Sequence, residues 1–308
     1  MTLAVHVMGR EVAILEPLGD FKSTMTYHAD VASNDFVSLT MRVRNEAYTW
    51  DDVLLPYFQM NLPEGYLLRV LQEQFGPIVG GSPMTLLSIV GRNMIGRVQV
   101  APPGAILDEP AKAVDVAALL EGDNSEEAFA ALVREHATSG VSGVVPKFLD
   151  TEERRIGVSP EKKATLFSHR HIIKGSSSAL PFVSLNEHLC MEVTRRVMSA
   201  ATTRLSSDGQ LLIVDRFDVD AEGRRSWGME DFCVLLGLRP TAKYETTWER
   251  IARAVRKTLP SIDARRSSRT WQRCSFLRTP CGTRTATRRM SPCATRTCTI
   301  FIWHPHTT

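Results

Sequence analysis

The sequence predicts an α+β protein: a small β-rich N-terminal subdomain, a second unit of strands around one long helix, an incomplete helical part, and an aperiodic basic tail. Three observations predict it. Period-two apolar alternation crowds into the first 45 residues. Apolar steps of three and four residues then recur through the body. Both periods stop after Pro260, where Arg, Thr, Cys, Ser and Pro follow one another without either. The boundaries fall at 1–105, 135–260 and 261–308.

Taken in order, Leu3 to Met8 alternates, and Glu11 to Leu15 follows a Gly9-Arg10 turn, which suits a hairpin. Phe36 to Val43 is a further alternating run and reads as a strand. From Asp51 to Phe75 the apolar residues Val53, Leu54, Tyr57, Phe58, Leu67, Leu68 and Leu71 take helical steps, and Pro63 opens the second of two short helices. Thr85 to Val90 reads as a buried helix and Gly96 to Val100 as a strand. Residues 101–115, rich in Pro, Ala and Gly, read as a connection. In the second unit Val144 to Leu149, Ala164 to Phe167, His171 to Lys174 and Leu211 to Phe217 are strand-like. Leu185 to Met198 is an amphipathic helix with Leu185, Leu189, Val193 and Val197 on one stripe. Met229 to Leu236 and Thr247 to Leu259 complete the helices. The tail from 261 reads as disordered, with only Thr299 to Trp303 apolar.

Charge divides the chain at the same place. The 308 residues carry +3 overall, but no acidic residue follows Asp263. Residues 264–308 hold nine arginines and no lysine. Taking those nine from 37 basic residues leaves 28 against 34 acidic ones, so residues 1–263 carry about −6. The tail could neutralise phosphates, yet it lacks the interleaved aromatics of a nucleic-acid reader, and direct nucleic-acid binding is not expected. Cys190 and Cys233 sit among apolar residues and read as core, whereas Cys274, Cys281, Cys293 and Cys298 form no CxxC pair that would support zinc. No apolar run reaches the ~18–20 residues that span a bilayer. The start lacks a basic, then apolar, leader pattern, so a cytoplasmic protein is expected.

Four stretches carry candidate chemistry. Ser139 to Lys147 contains Ser142-Gly143-Val144-Val145-Pro146-Lys147, small residues whose backbone N–H groups could approach a phosphate; a surface turn fits the same residues. Lys174 ends an apolar strand, either as a point charge for phosphate or as a solvated strand end. Glu187 follows Asn186 early in the amphipathic helix; it suits the helix dipole, and it also suits a pair with Lys174 of the kind that holds nucleotide phosphates. Leu211 to Asp218, with Asp215, Arg216 and Phe217, runs from an apolar strand into a polar connection, the form of a hinge that meets adenine through its backbone. Loop, strand lysine, helix glutamate and hinge in this order form the layout of a kinase N-lobe.

At these residues the chain resembles the HipA family of serine/threonine kinases, the toxin half of a toxin–antitoxin pair. Ser142 to Lys147 resembles the family nucleotide loop, with Val145 where Gln is usual. His171-Ile172-Ile173-Lys174, Asn186-Glu187 and Val214-Asp215-Arg216-Phe217-Asp218 resemble its strand, helix start and hinge. Glu230-Asp231-Phe232-Cys233, Leu236-Gly237-Leu238 and Lys243-Tyr244-Glu245 resemble a later stretch. Asn61-Leu62-Pro63-Glu64 and Leu86 to Arg92 resemble its N-terminal part. The resemblance implies ATP with Mg²⁺, a HipB-like DNA-binding antitoxin and a protein substrate. It assigns phosphates to Ser142 to Lys147 and Lys174, with Glu187 paired to the lysine, and adenine to Asp215, Arg216 and Phe217.

One family element is missing. The catalytic loop, R-N-x-D-x-H-x-K-N, should follow Lys243-Tyr244-Glu245, yet residues 264–308 contain no Asp, Asn or Glu. Codons permitted for Cys281 to Thr308, read two bases later, can give RNADGHAKNVALRYADVHDIHLAPAYD. That string contains the loop and the family's later metal-binding Y-D. The expectation is a change of frame between about Thr258 and Trp271, leaving no catalytic residue in this chain.

Overall fold

The computed structural model describes residues 1–62 (Asp20 excepted), 68, 82–107, 115–139, 165–167, 170–176, 181–196, 200–220, 222–239, 242, 246–258 and 300–303. Helices and antiparallel sheets mix throughout, as an α+β fold requires.

The first unit is a five-stranded antiparallel sheet in the order β4-β3-β2-β1-β5. Its strands are β1 (Leu3–Val7), β2 (Arg10–Pro17), β3 (Ser23–Tyr27), β4 (Tyr48–Trp50) and β5 (Val98–Ala101). The turn between β1 and β2 places both Met8 and Gly9 at positive φ, which suits a tight hairpin. Two helices cover the sheet: α1 (Pro56–Met60) and α2 (Pro83–Val90), each with proline in its first turn. Ser82 caps α2 by accepting the Thr85 N–H. Leu3, Val5, Val12, Leu15, Leu54, Tyr57, Phe58, Leu87, Val98 and Val100 fill the core.

The second unit opens with α3 (Val116–Glu121) and α4 (Glu126–Ser139). Its sheet has the order β6-β7-β9-β8, from β6 (Thr165–Phe167), β7 (His171–Gly175), β8 (Thr203–Leu205) and β9 (Leu211–Asp215). The long helix α5 (Val183–Arg195) packs on this sheet. Then come β10 (Gly228–Asp231), α6 (Phe232–Leu235) and α7 (Trp248–Thr258), and finally β11 (Ile300–Trp303).

Several expectations change. Phe36 to Val43 is buried at Phe36, Val37, Leu39 and Met41, yet it pairs only through the bridge Ser38–Met41. Its burial comes from side-chain anchors. Phe36 lies between the Arg42 and Arg97 guanidiniums, 4.1 and 4.5 Å from its centroid, and the Tyr27 hydroxyl accepts the Val37 N–H at 2.7 Å. Met229 to Leu236 is not one helix, because Asp231 serves as N-cap and accepts the Cys233 N–H at 2.8 Å. The residues before it extend as β10, which turns Glu230 inward.

The stripe on α5 faces outward: Leu185, Leu189 and Val193 are exposed, while Ser184, Glu187 and Thr194 are buried. The inner face is polar because it meets the backbone and lysine of the sheet beneath. The tail is not wholly irregular, since Ile300–Trp303 pairs antiparallel with β10, Glu230 opposite Phe301. Short as it is, an apolar β-prone run next to an open strand edge gains a ladder there. The second α-helix expected from Pro63 and the strand expected over Val144 to Leu149 lie outside the described residues.

Candidate nucleotide site

The four-stranded sheet brings two of the expected groups into contact. Lys174 lies on β7, the strand flanked by β6 and β9. Its Nζ forms an ion pair with Glu187 Oε1 from α5, and both side chains are largely buried. The helix is held in place to make that pair. The Ser184 hydroxyl donates to the Gln210 carbonyl at 2.9 Å and lies 3.3 Å from the Lys174 carbonyl. The Ser184 N–H donates to Ser176 Oγ at 3.2 Å, and His188 Nδ1 lies 2.9 Å from the Thr203 hydroxyl. Gly175 permits the approach of another side chain, because a Cβ there would come within 2.6 Å of the Phe129 ring.

The expected hinge leaves the end of β9. Antiparallel pairing sets Lys174 opposite Leu212 and His171 opposite Asp215. Lys174 and Asp215 are thus offset by three residues on adjacent strands, about 10 Å along the strand direction. Asp215 Oδ1 accepts Arg204 Nη2 at 3.0 Å and lies 3.6 Å from His171 Nε2. Burial, with the Arg204 guanidinium beside it, holds the His171 imidazole below its usual range against the pull of Asp215.

The backbone N–H groups of Asp215 and Arg216 are already committed, to the carbonyls of Thr202 (2.9 Å) and Arg170 (2.8 Å). The Arg216 side chain is committed too, to Asp218 and the Met94 carbonyl. Phe217 packs partly buried against Ile172, Leu212 and Val214. The donors of Asp215 and Arg216 at this segment are thus taken up within the fold.

Ser142, Gly143, Val144, Val145, Pro146 and Lys147 lie outside the described residues. Among the described residues no three His, Cys, Asp or Glu side chains are grouped to hold a metal ion, and no helix is long and apolar enough to cross a membrane.

The motifs include Asp218 and Glu230, but their burial and their partners escape sequence reasoning, as does Arg225. Asp218 and Glu230 are fully buried, and Arg225 reaches three carbonyls of the first unit. Glu230 Oε2 accepts the Ser38 hydroxyl (2.7 Å) and the Leu39 N–H (2.8 Å), 192 and 191 positions away. Nothing within a local window signals such partners. Burial lifts this carboxyl to about 8, against the pull of its two hydrogen bonds.

Comparison with known proteins fits this arrangement. The model of the HipA N-terminal domain matches residues 3–101, and that of the HipA-like C-terminal domain matches residues 139–278. No curated protein matches the chain significantly. Among solved structures the chain is similar to HipA from Shewanella oneidensis MR-1, in a toxin–antitoxin complex with HipB and operator DNA. The identity is 19% and the TM-score 0.51, over 82% of this chain and 60% of that one. The chain thus spans about 60% of that protein's length. With both family domains matched in order and the fold shared, the chain belongs to the HipA family.

Proposed function

We propose that this chain is a HipA-type toxin kinase scaffold that holds ATP without transferring its γ-phosphate. The observation that carries the reading is the Lys174–Glu187 ion pair between β7 and α5. A strand lysine steadied by a helix glutamate keeps a cation in place for the α- and β-phosphates. The offset of about 10 Å between Lys174 and the β9 exit leaves room for a ribose between phosphates and base. The likeness of Ser142 to Lys147 to the family loop assigns these residues to the phosphates as well.

The Mg²⁺ of the family does not fit the residues at hand. Among those described none are grouped for a metal, and residues 264–308 supply no carboxylate. The last thirty residues, 279–308, lie beyond the family match, and the codons of Cys281 to Thr308 are compatible with a catalytic loop two bases out of step. In an in-frame protein that loop would pass the γ-phosphoryl group of ATP to a serine or threonine hydroxyl of a protein, releasing ADP.

The test uses two proteins, the 308-residue chain and its frame-restored counterpart, with γ-labelled ATP, Mg²⁺ and a protein acceptor. The expected result is no labelled protein from the first and labelling from the second. Labelling by the 308-residue chain overturns the reading. A HipB-like antitoxin is the proposed partner, since the similar Shewanella structure is a complex with HipB. Co-purification with the product of an adjacent antitoxin gene tests that.

A further inference from the structure

The seam between the two units is built around the exit of β9. There Arg216 turns its guanidinium onto Asp218: Nε donates to Oδ1 at 3.0 Å and Nη2 to Oδ2 at 2.5 Å. The two side chains are 3% and 0% exposed. Asp218 Oδ2 also accepts the N–H of Gly96 at 2.8 Å, and Arg216 Nη2 reaches the Met94 carbonyl at 3.3 Å. From the next loop Arg225 donates to the carbonyls of Met94 (2.5 Å), Gly96 (2.6 Å) and Arg92 (2.8 Å). The N–H groups of Ser226 and Trp227 return to the Asp218 carbonyl. Ile95, inside the clamped loop, packs on Ile172, Leu212 and Val214 together with Phe217. Gly96 makes the approach possible. Its φ is 95°, and a Cβ there would lie 3.1 Å from the Met229 nitrogen.

We infer that the first unit braces the Asp215–Phe217 segment, and that Arg225 is a positioning residue for the adenine end of the nucleotide. The inference rests on the ATP reading above for its adenine part. A segment leaving the end of a strand loses conformational freedom when a ligand orders it, and that loss weakens binding. Clamping the segment beforehand removes the loss. Lys174 does not depend on the clamp, because it is fixed by Glu187 and lies three residues from Asp215 across the sheet. Loosening the brace should therefore weaken recognition of the base and spare recognition of phosphate.

The experiment takes the 308-residue protein and two variants, Arg225→Ala and Gly96→Ala, which open the same seam by different routes. Titration calorimetry is run with ATP and, separately, with inorganic tripolyphosphate. Hydrogen exchange is followed at the amides of Asp215 and Arg216 and in β1–β3. Loss of hydrogen bonds from a charged donor predicts ATP binding weakened about tenfold, with tripolyphosphate binding changed less than about twofold. Exchange at Asp215 and Arg216 should accelerate while β1–β3 stay protected. Equal weakening of both ligands overturns the positioning role. Unchanged exchange at those amides in both variants overturns the brace. Lys174→Met separates the two ideas: it should lose both ligands and leave the exchange untouched. If the unmutated protein takes up neither ligand, the ATP reading falls and takes the adenine role with it; the exchange data alone then decide the brace.

Discussion

Glu230 illustrates how far one residue's behaviour departs from its type. Its carboxyl is fully buried, Oε1 has no hydrogen-bond partner, and Oε2 takes two. Tyr57, also buried, feels its charge, and Asp231 adds a second carboxylate on the same strand. Burial above all, and then Asp231, favours the neutral acid, and the two hydrogen bonds to Oε2 only partly oppose it. A folded-state value near 8 against the usual 4.5 means that the folded protein keeps a proton the unfolded chain releases. The proton's contribution to stability is complete below pH 4.5 and is lost as pH rises to about 8. Each unit in that window removes on the order of 1 kcal/mol. Urea denaturation of the wild type from pH 5 to pH 8 should show the decline. Glu230→Gln, which has no proton to lose, should flatten it. A parallel decline in the variant would assign the effect to another group. Sequence could not show this carboxyl's burial, because its partners Ser38 and Leu39 stand in the other family unit.

The element where pattern and structure diverge most usefully is α5. Its amphipathic period is legible, and so is the glutamate that meets Lys174. What the period cannot state is which face turns inward. Amphipathicity reports two unlike faces, and the neighbour decides between them. Here the neighbour offers a lysine and strand-end carbonyls, so Ser184, Glu187 and Thr194 go inside. Leu185, Leu189 and Val193 remain outside, preceded by exposed Phe182 in a left-handed conformation. Leu189, 55% exposed, should tolerate Leu189→Gln within about 0.5 kcal/mol, read as an unchanged melting temperature. A buried leucine would cost several times that amount. Three strands of the Lys174 sheet, β6, β7 and β9, were legible for a different reason, while β8 was not. Their apolar runs are short and flanked by turn residues, a pattern that needs no knowledge of neighbours.

For the whole molecule the question is whether two family domains make one cooperative unit. Val234, from the second unit, lies in the core of the first, and Leu235 packs against Phe36 and Leu39. Ile95, from the first, packs partly buried against the core of the second. With Arg216, Asp218 and Arg225 across the same seam, calorimetry should show one transition whose calorimetric and van't Hoff enthalpies agree. Asp218→Asn leaves the Arg216 guanidinium buried without its countercharge, and should lower stability by about 3–5 kcal/mol. A variant that instead melts in two well-separated steps would show that the seam, not either core, supplies the cooperativity. The family was legible in the order of the motifs. The seam was not, because arginines that bond to backbone carbonyls leave no pattern of their own.

That last property has a bearing on exchange of parts between relatives. On the side of the first unit, the acceptors of the seam are the main-chain carbonyls of Arg92, Met94 and Gly96, not their side chains. Main-chain carbonyls are common to every sequence that follows the same path. At this clamp a chimera carrying a foreign N-terminal unit would need the path and the glycine at 96, while the recipient supplies Arg216, Asp218 and Arg225; elsewhere on the seam it would also need side chains that fit Glu230, Val234 and Leu235. The clamp thus tolerates drift in the first unit's sequence, whereas the packed contacts of Ile95, Val234 and Leu235 tie the two sequences together.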